Sequence, residues 1–303
     1  MPHTEQGTNE NILSHLATNI ITILNDFVNK IIDFLEKLYI MLFRKGLICM
    51  LLAIDIGNTN ITLGAYNSNY LAFTARLATD TRKTDDQYAI EIKHLLALYN
   101  IESQDIEDCI ISSVVPSVGR SISHAVSKLC EIVPLMLGPG IKTGLNIKID
   151  NPAQLGADLV AGAVGAIDAY TMPCVVIDMG TASTISVLDK DGAFLGGVIA
   201  AGVRLTLKAL AENTAQLTSI PIEAPKSIIG TNTTECMQAG LVLGTAAMID
   251  GILEKIEAEL GEKPTVVATG GLSRTVISYC KNNIIYNENL LLDGLRAIYE
   301  KNH

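Results

Sequence analysis

Leu51-Leu52-Ala53-Ile54-Asp55-Ile56-Gly57-Asn58-Thr59-Asn60-Ile61-Thr62 is the stretch that decides the fold. A short apolar run that ends in a glycine turn reads as a buried strand. Asp55 then sits at the mouth of that strand. Gly57 lets the chain turn at little steric cost and lets backbone approach a ligand closely. Asn58, Thr59, Asn60 and Thr62 offer short hydrogen-bonding side chains, and the N–H groups of such a turn suit phosphate oxygens. Asp55 would repel bare phosphate, so its sensible role is to hold Mg²⁺, directly or through water. No Gly-Lys-Ser/Thr follows, which excludes a Walker A loop. Taken alone, the segment reads as well as a hairpin turn with capping residues.

The same grammar returns at Cys174-Val175-Val176-Ile177-Asp178-Met179-Gly180-Thr181. Strand patterns at 183–188 and 194–199 follow it, as 61–66 and 71–77 follow the first turn. The repeat is too long for a solenoid. It points to two related αβ subdomains facing each other, whose turns can grip a polyphosphate from both sides. A third feature is Val266-Val267-Ala268-Thr269-Gly270-Gly271-Leu272-Ser273. A strand ending in Thr-Gly-Gly and opening a helix offers a flat backbone surface to an adenosine, and N–H groups at the helix start. Between these features the patterns predict helices over 85–99, 116–129, 152–169 and 234–260. They predict strands over 109–114, 132–137 and 265–268.

The whole composition agrees. In 303 residues, 49% are hydrophobic and 18% charged, enough apolar content for a sizeable core. The net charge of −10 argues against a nucleic-acid partner, which needs a basic face. The six cysteines are scattered, without a CxxC pair, so they read as reduced packing thiols of a cytoplasmic chain. Residues 1–49 stand apart. Leu16, Ile20, Leu24, Phe27, Val28, Ile31, Leu35 and Leu38 recur at helical spacing. Asp26, Lys30, Asp33, Glu36 and Lys37 interrupt the run and argue against a spanning helix. Three readings stay open: a non-essential extension with Met50 as the true start, a helix docking on a partner or the core, and, least favoured, contact with a membrane surface.

The order of the three glycine-bearing turns resembles the actin-like, sugar-kinase-like ATPase superfamily. Within it, four segments resemble type III pantothenate kinase. These are 55–62, Gly156-Ala157-Asp158, 178–184, and Gly230-Thr231-Asn232-Thr233 leading to Gln238-Ala239-Gly240. The resemblance runs from Met50 to near the C-terminus. It implies an α/β fold of two duplicated actin-like (ribonuclease H-like) lobes with mixed sheets, 50–170 and 171–303, and an active site in the cleft between them. It implies transfer of the γ-phosphoryl group of ATP, with Mg²⁺, to pantothenate, giving 4′-phosphopantothenate, the first step of coenzyme A synthesis. Asp158 matches the family's proton acceptor. Gly156, Ala157, Asp158 and Leu159 would line the pantothenate pocket, and Thr233 would contact pantothenate. Residues 55–62 and Thr181 match ATP positions. Asp178 matches a ligand of a monovalent cation, K⁺ or NH₄⁺. A homodimer is also implied.

The chemistry of these residues has plainer alternatives. A carboxylate in reach of an alcohol can orient it and take its proton; Asp158 and Thr233 could equally cap the helices that follow them. One position departs from the family, which often has arginine directly after the catalytic aspartate. Leu159 stands there and cannot hold a carboxylate bidentately. Either Arg204 or Lys208 supplies that charge, or a partner subunit does, or substrate binding is weaker. Two other functions fit the same features: a kinase of another small alcohol, and an ATP-binding regulator without turnover.

Overall fold

The structure is a computed structural model that describes residues 28, 30–32, 35 and 49–303. It divides into two compact units, Met1–Cys49 and Met50–His303. In the first, Val28, Lys30, Ile31, Ile32 and Leu35 are helical, in line with the amphipathic pattern. The rest of that helix expectation lies outside the described residues.

The second unit holds two five-stranded sheets with one shared plan. Strands β1 (Met50–Ile56), β2 (Asn60–Asn67) and β3 (Tyr70–Ala78) form an antiparallel meander. Helix α1 (Asp85–Leu98) leads to β4 (Ile106–Ser113), which pairs parallel with β1. Helix α2 (Pro116–Cys130) leads to β5 (Leu135–Met136), giving the order β3-β2-β1-β4-β5. Helix α3 (Ala157–Ala169) crosses to the second sheet. There β6 (Cys174–Met179), β7 (Ala182–Leu188) and β8 (Phe194–Ala201) repeat the meander. Helix α4 (Val203–Asn213) follows, then α5 (Thr233–Leu260), which runs through a π-helical stretch at Ala239–Leu243. Strand β9 (Thr265–Thr269) pairs parallel with β6, and α6 (Ser273–Ile277) precedes β10 (Ile285–Tyr286). The order is β10-β9-β6-β7-β8, the first sheet's plan again. Helix α7 (Leu290–Glu300) closes the chain.

Side-chain alternation decides which face each residue serves. Leu52, Ile54 and Ile56 of β1 pack with Ile92 of α1 and Ile122 of α2 on the outer face of the first sheet. Leu51 and Ala53 point the other way, onto Val160, Ala161 and Val164 of α3 and Leu295 of α7. In β6, Val175, Ile177 and Met179 meet Leu207 of α4 and Ile249 of α5 on the outer face. Cys174 and Val176 meet Ala163 and Ala166 of α3 on the inner face. Helix α3 therefore lies between the inner faces of both sheets. Burial on both faces explains why the central strands read as unbroken apolar runs.

The alanine and glycine content of α3 has a packing reason. A Cβ on Gly294 of α7 would collide with the Ala161 carbonyl, and one on Gly165 with the Leu290 carbonyl. The two helix backbones approach too closely for any side chain, and overpacking at such a point costs about 1–3 kcal/mol. Tyr66 of β2 donates to Asp293 Oδ1 at 2.8 Å, and Arg296 to Asn69 Oδ1 at 3.0 Å. The last helix is thereby fastened to the first sheet rather than completing the second, as its place in the sequence suggested. The strand expected over 132–137 shrinks to Leu135 and Met136. Pro134 has no N–H to give the ladder, and Val133 is 89% exposed.

Candidate active site

The alternation that fills the core also aims the acidic residues. Asp55 is the penultimate residue of β1, in step with Leu51 and Ala53, so it faces α3. Asp178 is the penultimate residue of β6, in step with Cys174 and Val176, so it faces α3 from the other sheet. Asp158 lies in the first turn of α3, with Gly156 as N-cap. One helix start thus meets the ends of both central strands, and three carboxylates converge.

Their titration reports the crowding. Burial, with the charges of Asp158 and Asp178, pushes Asp55 up to about 7. Burial, then Asp158, pushes Asp178 up to about 6. Burial also raises Asp158, partly offset because its carboxylate accepts backbone N–H bonds, among them Leu159 N at 2.8 Å. Gly156, not Asp158, is the N-cap of α3, so the capping alternative for Asp158 does not hold; Asp158 sits in the first turn as part of the carboxylate cluster. No lysine or arginine among the described residues offsets the three charges.

The turns after the two strands are pinned in the same way. Gly57 N donates to Asn60 O, and Gly180 N to Ala182 O, both at 3.0 Å. Thr79, just past β3, holds the first turn through its N–H to Thr59 O at 3.0 Å and its hydroxyl to Gly57 O at 2.7 Å. Gly202, just past β8, holds the second through its N–H to Thr181 O at 3.1 Å. The two turns touch: Thr59 Oγ1 and Thr181 Oγ1 are 2.8 Å apart. Gly270 has φ +95°, and a Cβ there would strike the Met179 carbonyl and Asp178 Oδ1. The Thr269-Gly270-Gly271 turn lies directly against the second aspartate.

Other residues singled out by sequence fall in different places. Asn58, Thr59 and Asn60 are exposed on the first turn, and Thr62 pairs with Asp55 across β1 and β2. Ile56 and Ile61 are wholly buried in the outer core, so only their backbone can meet a ligand. Thr233 opens α5 and is exposed, but Asn232 is the cap, accepting from Glu235 N at 3.0 Å. The capping alternative for Thr233 is thereby set aside. Arg204 is exposed two residues after Gly202, and Lys208 lies 3.8 Å from Glu212. Sequence reasoning missed Ser112, Thr79 and the pinning role of Gly202. The signal for Ser112 was present: Cys109-Ile110-Ile111 ends in two serines where an apolar strand should continue.

A family model for type III pantothenate kinase matches residues 51–255. A curated type III pantothenate kinase of Halalkalibacterium halodurans is 40% identical over 253 residues, covering 84% of this chain and 100% of that protein. Among solved structures, a protein assigned as a 2-dehydro-3-deoxygalactonokinase from Sinorhizobium meliloti superposes with a TM-score of 0.55 at 12% identity. It covers 83% of this chain and 96% of its own. An archaeal actin homologue gives 0.45 at 12% identity, over 83% of this chain and 99% of its own. The sugar-kinase likeness bears on the fold alone; the family match and the curated relative bear on kinship. This chain belongs to the type III pantothenate kinase family.

Proposed function

We propose that this protein transfers the γ-phosphoryl group of ATP to the hydroxyl of pantothenate, forming 4′-phosphopantothenate, the entry reaction of coenzyme A synthesis. The observation that carries the reading is the convergence of Asp55, Asp158 and Asp178 at touching phosphate-type turns in a chain of this family. Residues 55–62 and Thr181 hold the nucleotide, with the 269–271 turn beneath the adenosine. Asp158 orients the acceptor alcohol and takes its proton. Its raised pKa brings it toward the working pH, where a base is most effective. Gly156, Ala157, Leu159 and Thr233 line the pantothenate side.

The residues present suit a nucleotide-bound Mg²⁺. Asp55 Oδ1 is buried without a partner, and Mg²⁺ commonly takes one or two carboxylates and keeps phosphate and water for the rest. When bound, Mg²⁺ supplies charge neutralisation for the phosphates. Asp178, half-encircled by the backbone of Gly180 and Gly270, is assigned to a monovalent cation, K⁺ or NH₄⁺. Free thiols at Cys109, Cys130, Cys174, Cys236 and Cys280 suit the cytoplasm.

An ADP-release assay with ATP, Mg²⁺, K⁺ and pantothenate tests the reading. Turnover that needs pantothenate and rises with K⁺ is expected. Asp158→Asn should lower kcat at least about 100-fold with its melting temperature preserved. Turnover with another alcohol only, or none, removes the assignment.

We also propose a homodimer. Ile228 and Ile229 are 65% and 78% exposed beside the segment that carries Thr233, and Ile199 on edge strand β8 is 74% exposed. Apolar side chains this open suit a subunit interface. Light scattering should give the mass of two chains; a fully active monomer would count against it.

A further inference from the structure

Among the described residues, three buried side-chain polar atoms lack a hydrogen-bond partner: Asp55 Oδ1, Ser112 Oγ and Ser183 Oγ. Ser183 is in step with Ile185 and faces the outer core of the second sheet. The other two belong together. Asp55 and Ser112 are opposite each other in the parallel pairing of β1 and β4. Both follow the inner-face alternation, Asp55 after Leu51 and Ala53, Ser112 after Ile110. Ser112 is wholly buried, with 0% exposure.

An unpaired buried hydroxyl is destabilising, and alanine would fit the same space without that cost. A purely structural residue has no reason to carry it. A serine hydroxyl has one hydrogen to donate and turns freely about its bond. The second sheet repeats the arrangement, since Thr269 of β9 is opposite Asp178. A hydroxyl residue faces the strand-end aspartate in both halves.

We propose that Ser112 is a positioning residue for Asp55: its hydroxyl donates to Asp55 Oδ1 and holds the carboxylate in the orientation that receives the metal of Mg·ATP. Ser112 touches neither substrate nor metal and acts only through Asp55. This inference rests on the kinase reading given above.

The test is a thermal-shift titration of the full chain with Mg·ATP, and with ATP plus EDTA. It uses wild type, Ser112→Ala, Asp55→Asn and the double variant. Ser112→Ala should keep a cooperative melt without ligand, because alanine fits the same space. It should need about tenfold more Mg·ATP for half-maximal stabilisation, the scale of one hydrogen bond to a charged group. The response to ATP with EDTA should stay unchanged. In the Asp55→Asn background, Ser112→Ala should cause no further loss. An unchanged half-saturation, or an equal loss in the Asp55→Asn background, overturns the proposal. Should Ser112→Ala lose its cooperative melt, Ser112→Cys, close in volume and a weaker donor, is read by the same criterion. Failure of wild type to phosphorylate pantothenate would sink the functional reading instead, and the Mg·ATP titration separates the two outcomes.

Discussion

The two halves of the molecule share a plan and differ at one point. Each has a central strand ending in Asp-x-Gly, a turn closed by a 3.0 Å backbone hydrogen bond, and a pin from just past the third strand. They part at the neighbouring parallel strand. In the second half, Gly270 brings its backbone against Asp178, and Ser273 donates to the Thr269 carbonyl, so the chain itself fills that end. In the first half, Asp55 Oδ1 and Ser112 Oγ are left unpaired. The first half thus leaves a buried carboxylate oxygen without a protein partner, while the second sets the Gly270 backbone against its aspartate. Buried unpaired polar atoms are rare and tend to have a functional cause.

The contrast is broken most directly by neutralising one aspartate at a time. Asp55→Asn should lower kcat at least about 100-fold, the scale of removing a preorganised electrostatic contact. Asp178→Asn should lower it about tenfold and reduce the response to K⁺. Equal losses would erase the division between the halves. The same variants separate in stability. The Asp55 carboxyl stands at about 7 in the folded protein against an ordinary 3.8, so between these values the folded state holds more protons than the unfolded one. Stability from this group is therefore present at low pH and falls as pH rises from about 4 to 7. Without ligand, Asp55→Asn should melt above wild type at pH 7.5, and the gap should close toward pH 5. Each kcal/mol is worth about 2–4 °C in a domain of this size. Asp178, at about 6, should show the same sign with a smaller gap. A gap that widens toward acid pH would show that Asp55 is charged and stabilised in the ligand-free fold.

Much of the shared plan could be read before the fold was seen, because it is local. An apolar strand closed by Asp-x-Gly states its own turn, and period-two alternation states which face the aspartate takes. The repeat at Asp178 followed from the same grammar. Non-local features were harder to read. The return of Leu290–Glu300 to the first sheet depends on Gly165 and Gly294 meeting across helices far apart in sequence. Its Leu292, Leu295 and Ile298 pattern could have announced a helix, but not its destination. Ser112 read only as part of the strand over 109–114. Its meaning appears only when β4 lies beside β1.

The smallest effect tests whether the two turns act as one clamp. Thr59 and Thr181 meet hydroxyl to hydroxyl at 2.8 Å, and both are exposed. A neutral hydrogen bond in water's reach contributes about 0.5–1.5 kcal/mol, so Thr59→Val, which keeps the shape, should raise the KM for ATP about threefold. The melting temperature should move by no more than a degree or two, and kcat by less than about twofold, because neither hydroxyl bears on Asp158. Thr181→Val should match it, since one bond has two ends. A larger loss from Thr181→Val than from Thr59→Val would mean that Thr181 bears more of the nucleotide contact than Thr59, and the second half would then contribute more than the cation site proposed for it. Equal, small losses would leave the contrast as drawn: a first aspartate with a buried unpaired oxygen, a second with glycine backbone against it, and a light contact between the two turns.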